Sequence, residues 1–157
     1  MFEEYIEKSK NEIIKETCNL INIPSISEET NNPDMPFGKS AKEALEYALS
    51  LGEKLGFRTK NLDGYCGYIE FGEGEKLIGI IGHLDVVPSG DGWDTPPFEA
   101  TIKNNKIFGR GAIDDKGPVI ASLYAMKAVK DTQKLNCRVR LILGINEEKS
   151  CKCIKNY

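Results

Sequence analysis

His83 and Asp85 stand two positions apart where a short apolar run, residues 77–82, comes to an end. In an extended chain such residues face the same way, so one can bind a cation while the other holds the second imidazole nitrogen. This is the arrangement of a metal site. Asp114 and Asp115 add hard anionic oxygens just ahead of an expected helix start. Glu147 and Glu148 close a second apolar segment, and because adjacent residues of a strand face opposite ways they need not share a task. Each feature taken singly has a structural alternative. A His-x-Asp at a strand end is commonly a hydrogen-bonded pair, and paired glutamates after a strand commonly form a solvated turn. His83, however, is the only histidine of the chain.

The elements that must carry these groups are readable in order. Phe2, Ile6, Ile13, Ile14, Thr17, Leu20 and Ile21 recur at helical spacing, which predicts an amphipathic helix packed on the domain and stopped before Pro24. Residues 27–38 are a polar loop. A second helix spans Ser40 to Leu55 and ends at Gly56. Segments 57–62, 65–71 and 77–81 read as strands, and the separators Asp63-Gly64 and Gly72 to Glu75 both read as hairpin turns. The second separator lacks the Lys-Ser/Thr of a phosphate loop and opens no helix, which argues against nucleotide binding. Residues 89–97 are too rich in turn formers to be regular, with Trp93 and Phe98 placed either at a cleft mouth or in packing. A small hairpin is expected over 98–108, a helix from Pro118 to about Lys130, and a strand over 137–145. His83, Asp85, Glu147 and Glu148 then lie at carboxyl ends of strands, where open α/β sheets gather ligands.

Size and composition allow one ordinary α/β domain: 157 residues can bury roughly 70% of the unfolded surface. With 21 basic and 24 acidic residues interspersed and a net charge of −3, neither a nucleic-acid groove nor an anionic membrane is an expected partner. The acidic start has no apolar segment behind it, and no run approaches a membrane span, so a cytoplasmic location is expected. Five cysteines without the spacing of a disulfide framework suit reduced thiols, and the lone Cys151-x-Cys153 pair is weak support for a soft metal site.

Six motifs in order, His83-Leu84-Asp85-Val86-Val87-Pro88, Gly92-Trp93, Pro96-Pro97-Phe98, Gly109-Arg110-Gly111, Asp114-Asp115-Lys116-Gly117-Pro118 and Asn146-Glu147-Glu148, resemble the co-catalytic zinc peptidase family of aminoacylases, desuccinylases, carnosinases and bacterial dipeptidases. The Asp-Asp-Lys-Gly-Pro form is closer to the dipeptidase branch, that of dipeptidase V and carnosinase. The resemblance implies an α/β catalytic domain, a three-layer mixed sheet flanked by helices, present here only as its N-terminal part over residues 1–157, with the lid domain and the C-terminal catalytic part absent. It implies zinc, two ions per complete site, with His83 binding one, Asp114 bridging both and Glu148 binding the second. Asp85 would orient His83, and Glu147 would be the general base acting on a metal-bridging water. A cis peptide between Asp114 and Asp115 is implied too. The expected substrate is a dipeptide or short peptide. Relatives need a further aspartate and a late histidine, both of which would lie after Tyr157, so a complementing C-terminal half is an expected partner and turnover by this chain alone is not expected. The alternatives are a noncatalytic fragment or subunit, and an N-acyl amino acid deacylase using the same metals.

Overall fold

The computed structural model describes residues 2–157. Helix α1 (Phe2–Ile21) is followed by an irregular segment, α2 (Lys39–Lys54), strands β1 (Arg58–Leu62), β2 (Cys66–Gly72) and β3 (Leu77–His83), a long loop, a small hairpin of β4 (Thr101–Lys103) and β5 (Lys106–Phe108), helix α3 (Lys116–Thr132), strand β6 (Arg138–Gly144) and a 3₁₀ helix at Lys152–Asn156. Each expected element is present within a few residues of its expected bounds. α3 begins two residues before Pro118, which therefore sits within the first turn, where a missing N–H costs no intrahelical bond.

One expectation fails. Residues 72–75 do not join a hairpin, because the main sheet has the order β1-β2-β6-β3. β6 inserts between β2 and β3, antiparallel to the first and parallel to the second. Leu141 and Leu143 of β6 are fully buried, which is what a central strand requires and an edge strand would waste. The turn reaches across the start of β6 instead, and glycine is needed there: Gly72 has φ +84°, and a Cβ on it would lie 2.2 Å from the Cys137 carbonyl oxygen.

Gly67, Ile69 and Phe71 of β2 share a face with Val139, Leu141 and Leu143 of β6, as their register requires. Against that face α2 sets the stripe Ala41, Ala44, Leu45 and Ala48, and α3 sets Val119, Ile120, Leu123 and Met126, all buried. Each buried leucine or isoleucine contributes about 1.5–3 kcal/mol. Gly56, φ +80°, ends α2 in the left-handed conformation usual at that place. α1 lies along α3 and buries Thr17, Leu20 and Ile21. The opposite face of the sheet carries, among the described residues, only the 3₁₀ helix, seated over Gly144 through Cys153 and Ile154. Among the described residues, then, two of the three expected layers are present. No helix among the described residues is long and apolar enough to cross a membrane.

Candidate metal centre

β3 and β6 are parallel neighbours, so their carboxyl ends share one edge of the sheet. His83 is the last residue of β3 and is buried. Its Nδ1 lies 3.0 Å from the Asp85 main-chain oxygen, which leaves Nε2 to face the cleft, 3.0 Å from Asp114 Oδ1 and 3.7 Å from Glu147 Oε2. Donor atoms of His83, Asp114 and Glu148 all lie within 4.8 Å of one another. Three segments far apart in sequence therefore converge, and Glu147 stands beside them with a half-exposed side chain.

Asp85 is fully buried. Its carboxylate lies 3.6 Å from His83 Nδ1, farther than its own carbonyl. The two carboxylate oxygens instead accept the main-chain N–H groups of Glu147 at 3.0 Å and Glu148 at 3.1 Å. The expected orienting contact to His83 thus runs through the Asp85 carbonyl, while the side chain fixes the segment that carries both glutamates.

Several groups position the centre through contacts that the sequence does not announce. Asp115 Oδ2 accepts the His83 main-chain N–H at 3.1 Å, joining the start of α3 to the end of β3. That approach is close: a Cβ on Gly82 would fall 2.7 Å from both Asp115 Oδ2 and Val119 Cγ2. The Asp114-Asp115 peptide is cis. Lys116 is fully buried and donates from Nζ to the Ile23 carbonyl at 2.6 Å. Ser25 Oγ donates to the Leu84 carbonyl at 2.6 Å, and Asn146 Nδ2 to Ser27 Oγ at 2.8 Å, so the segment after α1 straps both strand ends. Trp93 is half-buried beside this region, its indole N–H donating to the Ser89 carbonyl at 2.8 Å.

Burial alone would push the His83 imidazole down, but hydrogen bonds to Asp85 and Asp114 outweigh it and raise it to about 9. Burial raises the Glu148 carboxyl, opposed by His83 and reinforced by the Asp114, Asp85 and Glu147 carboxylates. Crowded acids around one imidazole favour a positive charge in their midst. A proton serves that purpose on His83, and a divalent cation serves it better. One imidazole nitrogen with two carboxylates is a donor set that fits zinc or a similar first-row ion. Burial likewise takes the Lys116 ammonium down to about 7, with Asp85 opposing the shift.

Residues 79–157 match the description Peptidase family M20/M25/M40, and the chain belongs to that family. It is 48% identical to YtjP of Bacillus subtilis (strain 168), which carries a provisional dipeptidase name; the match covers 99% of this chain and 34% of YtjP. Among solved structures, the di-peptidase Dug1p of Saccharomyces cerevisiae has the same fold at a TM-score of 0.80 and 23% identity, over 96% of this chain and 35% of Dug1p. A metallo-carboxypeptidase of Sulfolobus solfataricus, Sso-CP2, is similar at a TM-score of 0.72 and 30% identity, over 87% of this chain and 31% of its own. The chain spans about a third of the length of the curated relatives it matches.

Proposed function

We propose that this chain supplies the front part, residues 1–157, of the catalytic domain of a zinc-dependent dipeptidase, the lid and the remaining catalytic part being carried by further polypeptide. The observation that carries the reading is the convergence of His83, Asp114 and Glu148 beside Glu147. The dipeptidase name of YtjP and the one-third coverage support it. His83 through Nε2, Asp114 and Glu148 would hold two zinc ions, with Asp114 shared between them. Bound zinc would supply Lewis acidity, making an oxygen nucleophile available near neutral pH and polarising the scissile carbonyl.

The rest of the chemistry belongs to side chains of this chain. Glu147, left out of the ligand set, takes a proton on Oε2 from the attacking water and returns it to the leaving amine. Asp85 holds the Glu147 and Glu148 N–H groups and so fixes where that base stands. The Asp85 carbonyl on Nδ1 keeps Nε2 of His83 free to act as a ligand. Substrate would be a dipeptide or short peptide, with no nucleic acid or membrane as partner. The five unpaired thiols suit a reducing compartment such as the cytoplasm.

A second reading, a noncatalytic subunit, draws on the same geometry, because only three side chains converge as a ligand set among the described residues. Co-expression with the remaining two thirds of YtjP separates the two. The chain alone is expected to bind zinc weakly and to leave dipeptides intact. The complemented protein is expected to hydrolyse them, with Glu147→Gln lowering kcat about 10²–10⁴-fold while zinc stays bound. Turnover by the chain alone, or none after complementation, overturns the proposal.

A further inference from the structure

Against Asp114 lies a slot of about 290 Å³ lined by the apolar side chains of Trp93, Ile107, Phe108 and Ile113 and by Gly109 and Gly111. Asp114 is among its lining residues, so the slot and the candidate centre share a residue. The slot opens outward into a wider groove of about 560 Å³ that shares Trp93, Phe108 and Arg110 with it and carries Asp91, Asp94 and Lys103. The apolar stretch therefore meets the Asp114 carboxylate and, in the adjoining groove, charged residues.

Its walls are set before anything enters. The Trp93 indole is tethered to Ser89, as described above. The Arg110 guanidinium lies 5.3 Å from the centre of the Trp93 ring and donates to the same Ser89 carbonyl at 3.1 Å. Facing that wall, Ile113 is 87% exposed and Phe108 41% exposed. Two large apolar side chains held in water next to a cluster of acids add nothing to the core. They gain only when another apolar group covers them.

We infer that this slot is a side-chain subsite, taking an apolar residue, leucine- or phenylalanine-like, of a peptide whose backbone lies at the His83–Asp114–Glu148 centre. The inference rests on the peptide reading above and adds a preference to it. Continuity through Asp114 selects the occupant: a side chain one residue from the reacting carbonyl enters an opening that begins at a metal ligand. A preformed apolar pocket of this size suits one such side chain, with the polar groove beyond left to solvent.

Trp93 is the only tryptophan of the chain, and its indole N–H is a single reporter on the slot wall. The test titrates the zinc-loaded complemented protein, ¹⁵N-labelled in this chain alone and carrying Glu147→Gln so that peptides stay intact, with Gly-Gly, Phe-Gly and Gly-Phe and follows the indole resonance by ¹⁵N NMR. One phenylalanine peptide is expected to bind about tenfold or more tighter than Gly-Gly and to move the indole signal, which Gly-Gly leaves in place. Ile113→Ser, at an exposed position with little bearing on folding, and Phe108→Ala are each expected to reduce that ratio toward one. Gly-Gly binding with no advantage for phenylalanine overturns the subsite alone and leaves the slot to another segment of the polypeptide. Failure of all three peptides to bind overturns the peptide reading and the subsite with it.

Discussion

Asp85 accepts the N–H groups of Glu147 and Glu148 from a fully buried position, so its removal leaves two donors unpaired at the end of β6 and loosens two side chains of the centre together. Asp85→Ala is expected to lower the unfolding free energy by about 2–4 kcal/mol, read from urea denaturation, and to weaken zinc binding about 10–100-fold, read by calorimetry. Wild-type zinc affinity in a destabilised variant would show that the carboxylate serves the fold alone. At this scale the sequence was informative about residue types and less so about contacts. His83, Asp114 and Glu148 were legible as a set through their motifs. The alternation rule put the Asp85 side chain on His83, but regular strand geometry stops at His83, and beyond it the carboxylate points to β6. Asp115, read only as a further anionic oxygen, and Lys116, read only as part of a motif, have their actual partners, the His83 N–H and the Ile23 carbonyl, decided by how α3 meets the sheet.

Between elements, Glu70 ties three strands together on the face that lacks helices. Its carboxylate lies 3.2 Å from Arg58 of β1, accepts Arg140 Nε of β6 at 2.7 Å and lies 3.8 Å from Arg138. The Arg140 guanidinium in turn sits 3.9 Å over the Tyr68 ring and donates to the Tyr157 hydroxyl at 2.7 Å. Burial pushes the Glu70 carboxyl up, but hydrogen bonds from Arg140 and Arg58 outweigh it and hold it below its ordinary 4.5. A group lowered in the folded state adds stability above its unfolded value and loses it as pH falls through the folded one. The contribution is thus whole above pH 4.5 and declines below. Glu70→Gln should be the less stable protein at neutral pH and should show a shallower loss on acidification; parallel denaturation curves from pH 6 down to about 3 would contradict this. The strand order that brings these residues together was the part of the fold least open to sequence reading. Two strands joined by a glycine-rich turn suggest a hairpin, and nothing local announces that a strand some sixty residues later will come between them.

For the molecule as a whole, helices finish one face of the sheet and leave the other largely bare. β3 forms an outer edge without a charged residue before His83, and Leu77, Ile78 and Ile81 on it are 42%, 53% and 70% exposed. Such an edge offers both unpaired main-chain groups and apolar surface to another chain. The isolated chain is expected to self-associate at micromolar concentration, and Ile81→Lys to weaken that association roughly tenfold or more, both read by sedimentation velocity. A monomer at every concentration would show that the edge is protected in some other way.

The origin of the three donor residues has a thermodynamic corollary. His83, Asp114 and Glu148 belong to stretches that only the native arrangement brings within 4.8 Å, so a random coil has nothing comparable to offer an ion. Uptake of an ion there and acquisition of the native state would be linked steps of one equilibrium: above the dissociation constant, every tenfold rise in free ion would add about 1.4 kcal/mol to the free energy of unfolding. A chelator, by the same relation, would take that increment away.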